Sequence, residues 1–202
     1  MAVEIIDLKK KFEQQTVLEG FSAKFGDNSI TCIMGASGAG KTTLLNILLG
    51  LMDPDSGTVS GISGKRLSAV FQEDRLCEGL DAIGNIKLVV DKKITRKDIE
   101  EEFSKVGLED YRGKPVSELS GGMKRRIALV RALITDPDIV IMDEPLKGLD
   151  AKLKHKATEY IKEKVKNKIT IIVTHDKAEA EAFGAEIIML KKKSSRADES
   201  AC

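Results

Sequence analysis

Apolar residues come in short runs, and two spacings alternate along the chain. "VEIID" (3–7), "SITCIM" (29–34) and "LSAVFQ" (67–72) are short and rich in β-branched residues, which predicts strands. "DIVIMD" (138–143) and "ITIIVTH" (169–175) are continuous apolar runs, the pattern of parallel strands covered on both faces. Helical spacing separates them. "KTTLLNILLGL" (41–51) is apolar on most faces and predicts a buried helix. "TRKDIEEEFSKVGL" (95–108) opens with a capping-box pattern, Thr95-x-x-Asp98, and carries Gly107 near its end; it predicts an exposed amphipathic helix. "SGGMKRRIALVRALIT" (120–135) places Ile127, Val130 and Ile134 on one stripe. Leu153, Ala157, Tyr160, Ile161 and Val165 mark one face of a further helix. Strands alternating with helices predict an α/β fold around a largely parallel sheet.

The character changes from about 83 to 117, which reads as an inserted helical subdomain. A chain of 202 residues accommodates one large domain with such an insertion and buries a substantial core. Hydrophobic residues at 42% and charged residues at 32% place it among soluble globular proteins. A net charge of +1 gives no bulk attraction to nucleic acid or to a membrane surface. "ITIIV" (169–173), among the longest apolar runs, is far too short to span a bilayer, and the N-terminus shows no signal-peptide pattern. Cys32, Cys77 and Cys202 lack CxxC spacing and are odd in number, pointing to a reduced, cytosolic compartment, with Cys32 a small core residue. The lysine-rich end (191–202) reads as a polar, disordered tail.

"GASGAGKTT" (35–43) carries the first chemistry. It matches G-x-x-x-x-G-K-[ST] between a strand and a helix. Gly35, Gly38 and Gly40, with Ala36, Ser37 and Ala39 between them, let backbone N–H groups close around phosphate oxygens at a helix N-terminus. Lys41 is placed for β- and γ-phosphates, the Thr42 hydroxyl for Mg²⁺, and Thr43 completes the motif. Such a loop needs a metal-holding acid. Asp143, at the end of "IVIMD", supplies it, at a strand end expected beside the phosphate-loop strand. Glu144 follows, where a carboxylate polarises an attacking water. His175 ends another apolar run, placed either as a structural residue or as a partner for a terminal phosphate; His155, among lysines, reads as solvated. Guanine specificity is unsupported, because "NKIT" (167–170) lacks the base-reading aspartate.

"ELSGGMKRR" (118–126) is a second glycine-rich helix start, followed by a basic amphipathic run. Ser120 alone would cap the helix; Gly121 and Gly122 weaken it. The motifs taken together, "GASGAGKTT", Gln72 in "VFQED", "LSGGM" (119–123), "IVIMDE" (139–144), "GLD" (148–150) and His175, resemble in content and order those of the nucleotide-binding subunits of ATP-binding cassette (ABC) transporters, over nearly all of residues 1–190. "VFQEDRL" and "LSGGMKRR" are most similar to the nitrate-, sulfonate- and taurine-type importer ATPases.

The resemblance implies a P-loop core from 1–82 and 123–190 with an N-terminal antiparallel arm, shortened between Lys41 and Gln72, and a helical subdomain over about 83–122 that ends in the signature. It implies ATP and Mg²⁺, with Phe12 stacking on adenine beside Val17, and with Gln72 contacting Mg²⁺ and linking the site to membrane subunits. It implies catalysis by Glu144, His175, Lys41 and Gln72 and metal binding by Thr42, Gln72 and Asp143. It also accounts for the second glycine-rich start. Two subunits, expected as a homodimer, pair head to tail, and Ser120, Gly121, Gly122 and Asp150 of one serve the ATP on the P-loop of the other. Further implied partners are membrane permease subunits and an extracytoplasmic binding protein for a small anion, with the chain on the inner face of the cell membrane and no nucleic acid bound. An exporter, lipoprotein-release or cell-division type complex remains the alternative. DNA-repair and translation types need a long coiled coil or two cassettes, and neither is present.

Overall fold

A computed structural model of the chain describes residues 2–13 and 15–191. The strands are β1 (Ala2–Phe12), β2 (Gln15–Gly26), β3 (Ser29–Met34), β4 (Ser56–Ser60), β5 (Leu67–Val70), β6 (Ile139–Asp143), β7 (Ile169–Val173) and β8 (Glu186–Met189). The helices are α1 (Lys41–Leu48), α2 (Ala82–Lys87), α3 (Arg96–Lys105), α4 (Gly121–Leu133), α5 (Ala151–Lys164) and α6 (Lys177–Phe183), with a 3-10 turn at Val116–Glu118. Strands β2-β1-β4 make an antiparallel sheet, and β5-β6-β7-β3-β8 make a parallel one.

Side chains alternate across the parallel sheet, as the two-residue period of a strand requires. Ile33, Ile139, Ile141, Ile171 and Val173 face α1 and the antiparallel sheet, packing with Leu44, Leu48, Val3, Ile5 and Phe25. Cys32, Met34, Val140, Met142 and Ile172 face the other way, into one core shared with Ile86, Phe103, Ile127 and Ile161. All five residues of β6 and of β7 are buried, so both strands are covered twice. The helices of the 82–118 region therefore share a core with one face of the sheet.

Several expectations change in detail. Strand β6 does not lie beside the phosphate-loop strand β3; β7 sits between them. Both apolar runs satisfy double burial equally, so the pattern alone could not order them. Helix α1 ends at Leu48, with its buried side at Leu44, Leu45, Ile47 and Leu48, and Leu51 is left exposed. Helix α3 has the expected capping box, but one of its faces is fully covered: Ile99 and Phe103 are inaccessible and Phe103 meets Tyr111 edge-on at 4.9 Å. An i,i+4 pair inside a highly charged helix suffices to bury a seam. Glu102 joins that seam because Tyr160 Oη (2.7 Å), Lys164 Nζ (2.5 Å) and Lys105 Nζ (3.1 Å) surround its carboxylate. The expected polar tail and Cys202 lie, Lys191 apart, outside the described residues.

Candidate functional site

The loop after β3 is shaped by glycines. Gly38 and Gly40 have positive φ (76° and 96°), and a Cβ on Gly40 would lie 2.7 Å from the Val17 side chain. Gly40 is also the N-cap of α1, so the helix opens with its N–H groups toward the loop. Ala39 N–H donates to Ala36 O (3.1 Å), closing a turn. Lys41 folds back, its ammonium donating to Gly35 O (2.8 Å) and Ala36 O (3.0 Å). The cation is thereby parked at the mouth of the loop, held by carbonyls and not by an acid.

Across from it, the Thr42 hydroxyl donates to Asp143 Oδ2 at 3.2 Å. Asp143 is 5% exposed; burial pushes its carboxyl above the usual range, and the charge of Glu144 adds to this. A hydroxyl and a carboxylate oxygen side by side are oxygen ligands of the kind Mg²⁺ prefers. The described residues contain no group of three or more His, Cys, Asp and Glu able to hold a metal by themselves.

Glu144 lies just past β6 in the left-handed region (φ 51°), with its N–H donating to Val173 O (2.9 Å). Its carboxylate meets His175 Nδ1 at 2.7 Å. That hydrogen bond, together with the charge of Glu144, raises the His175 pKa above its ordinary value. The segment bearing His175 is anchored from below: buried Glu179 accepts from Thr174 Oγ1 (2.8 Å) and from Lys154 Nζ (2.7 Å) on α5.

A pocket of about 570 Å³ unites these groups. Phe12, Gln15 and Val17 form one wall, the loop from Gly35 to Thr43 the floor, and Gln72, Asp143, Glu144, Lys147 and His175 the far side. Phe12 is 42% exposed there, an accessible ring at a strand end. Of the sequence-derived nucleotide set, Ala36 and Ala39 belong to the loop without lining the pocket; Ala39 is buried at 2%. Ser120, Gly121, Gly122 and Asp150 do not line it either. Ser120 caps α4, accepting from Met123 N–H (3.3 Å), and Asp150 caps α5, accepting from Leu153 N–H (2.9 Å). A Cβ on Gly121 would meet nothing within 4 Å, so nothing among the described residues requires glycine there.

Residues 18–147 match the family described as "ABC transporter". This chain belongs to the ABC transporter family. Among its relatives are the spermidine/putrescine import ATP-binding protein PotA of Mycoplasma mycoides subsp. mycoides, 34% identical over 94% of this chain and 59% of that protein, and the taurine import ATP-binding protein TauB of Pelagibacter ubique, 35% identical over 87% of this chain and 71% of that protein. The chain thus spans about three fifths of the length of the PotA relatives. Among solved structures, the bacterial ABC transporter cassette MJ0796 superposes with a TM-score of 0.83 at 28% identity, covering 94% of both chains; it has been solved as a dimer and in a post-hydrolysis state bound to ADP and Pi.

Sequence reasoning missed Gln15 and Lys147 in the pocket, since neither belongs to a recognisable motif. It also read the arginines after Gly122 as part of a basic amphipathic run, whereas Arg125 and Arg126 are 3% and 7% exposed. Arg126 turns back onto Gly122 O (2.9 Å) and Gly107 O. The signal available was position: on α4, with its 3.6-residue period, Arg125 lies one turn before Leu129 and Arg126 one turn before Leu129 and Val130, both fully buried.

Proposed function

We propose that this chain binds Mg-ATP and hydrolyses it as the motor subunit of an ABC importer. The observation that carries the reading is the convergence on one pocket of Lys41, the Thr42–Asp143 pair and the Glu144–His175 pair. Lys41 moves from the loop carbonyls to the β- and γ-phosphates, and the N–H groups of the loop and of α1 surround their oxygens. Thr42 and Asp143, with Gln72 nearby, would hold a Mg²⁺ ion, which would supply neutralisation of phosphate charge. Glu144 orients and polarises the attacking water, and His175, hydrogen-bonded to Glu144, is the partner for the γ-phosphate. Phe12 and Val17 take the base.

Two copies close on ATP head to tail, each lending Ser120, Gly121, Gly122 and Asp150 to the other's P-loop. The open space over Gly121, the placement of these residues outside the chain's own pocket and the dimeric MJ0796 relative support this arrangement. Residues 1–82 and 123–190 act as the P-loop core, and about 83–122 as the helical subdomain carrying the signature. No helix among the described residues is long and apolar enough to cross a membrane. The import ATP-binding relatives support separate permease subunits as partners, against which the chain sits at the inner membrane face. The relatives' names, a polyamine and a sulfonate importer, support uptake of a small organic solute through an extracytoplasmic binding protein. The test is Glu144→Gln: it is expected to bind ATP as the wild type does and to lose hydrolysis by about 10²–10⁴-fold. Wild-type turnover in that variant would falsify the assignment.

A further inference from the structure

We infer that Arg125 is a positioning residue for hydrolysis: it fixes the main chain that presents Glu144 and ties it to the segment carrying Gln72. The inference rests on the reading of Glu144 as the water-polarising group. Arg125 leaves the first turns of α4 and points into the protein, 3% exposed. Its Nη1 donates to Phe71 O (2.6 Å) and Asp74 Oδ1 (3.0 Å); its Nη2 donates to Asp143 O (2.9 Å) and Glu144 O (2.5 Å). One guanidinium thus holds three pieces of chain: the helix that begins at Ser120, the residues flanking Gln72, and the end of β6.

Two successive carbonyls converge on Nη2, those of Asp143 and Glu144. Their dipoles would repel without a cation between them, and the convergence accompanies the left-handed turn at Glu144 (φ 51°), which a residue with a side chain keeps only when its surroundings hold it. The Glu144 N–H is already tied to Val173 O, so Arg125 completes the fixation of that residue's backbone and leaves only the carboxylate free to face water or His175. The far side of the fork is equally defined. Asp74 carries the compensating charge at 3.0 Å, and Arg131, further along the same helix, donates to Asp74 O and Arg75 O (3.0 Å each). A lysine could not replace this, since a single ammonium cannot span acceptors on both sides of a planar fork. A displacement of the Gln72 segment is therefore transmitted to Glu144 through one rigid group.

The experiment is a double-mutant cycle on the full chain, reading ATP hydrolysis by steady state and single turnover and ATP affinity by equilibrium binding. Arg125→Gln is expected to lower kcat on the order of 10²-fold, the scale of a misplaced reacting group, with KM for ATP moving less than about threefold. In the Glu144→Gln background the same substitution is expected to change the residual single-turnover rate by less than about threefold, because the group it positions is already gone. An equal fold-loss on both backgrounds would make Arg125 merely structural and overturn the proposal, as would a loss of affinity with kcat retained. Because Arg125→Gln leaves Asp74 without its cation and lowers stability, Arg125→Lys is measured beside it: it is expected to stay folded and still lose kcat, and full turnover in it overturns the proposal. Unchanged hydrolysis in Glu144→Gln alone would instead sink the underlying reading of the site.

Discussion

Lys41 and Glu144 are the side chains whose removal separates binding from chemistry. Lys41→Ala leaves phosphate charge uncompensated, so Mg-ATP affinity is expected to fall at least tenfold in equilibrium binding, whereas Glu144→Gln retains it. The contact between Glu144 and His175 has its own signature. An NMR titration of the nucleotide-free chain is expected to place the His175 pKa above the ordinary imidazole value, and Glu144→Gln, which removes the charge and the ionic hydrogen bond, is expected to bring it down. No movement on substitution would mean that the two groups do not meet in solution. At this scale the sequence was most legible where a motif fixes both residue type and spacing: Lys41, Thr42, Asp143, Glu144 and His175 lie around one pocket. It was least legible for Arg125, Lys147 and Gln15. Arg125 meets Phe71, far away in the chain, and Gln15 and Lys147 line the pocket only once the fold has formed, which local spacing does not encode.

Helix α3 shows how far local signals carry an element. Its start is set by reciprocal hydrogen bonds between Thr95 and Asp98, both readable from a four-residue pattern. Thr95→Ala is expected to cost about 1 kcal/mol in denaturant unfolding. The burial of Ile99, Glu102 and Phe103 was not readable, because it depends on α5 supplying Tyr160 and Lys164 from a distant part of the chain. Strands β2, β4 and β8 and helices α2 and α6 escaped individual prediction for related reasons. Residues 56–60 are small and largely exposed, and α2 and α6 are short enough that packing, not periodicity, defines them. The loop after Gln72 holds the exposed residues Glu78 and Leu80, whereas Asp74 is tied to Arg125. We propose Glu78 and Leu80 as part of the permease contact. Leu80→Asp is expected to leave ATP hydrolysis by the isolated chain within about twofold, as exposed substitutions do, and to abolish coupled uptake in the assembled transporter; uptake at the wild-type rate would remove the segment from the contact.

For the molecule as a whole, the apolar runs and their helical spacers were enough to predict a parallel α/β sheet, and the structure has one. The order of its strands was not predictable, since β6 and β7 are equally apolar and both satisfy a central place. Two copies of the chain are proposed to pair so that the glycine-rich start of α4 in one serves the P-loop of the other. Ser37 and Gly121 are exposed on one chain, so cysteines there would be open to a short bismaleimide. Cys77 and Cys202 are replaced by serine. Cys32 is left in place, because it is fully buried and its thiol pKa is pushed up to about 12. In the Glu144→Gln background, chains bearing only Ser37→Cys are mixed with chains bearing only Gly121→Cys, and crosslinking is followed on a denaturing gel with and without Mg-ATP. Head-to-tail pairing predicts a band of doubled mass that requires both variants and increases with Mg-ATP. A mixture that stays monomeric, or crosslinks equally without nucleotide, would contradict it.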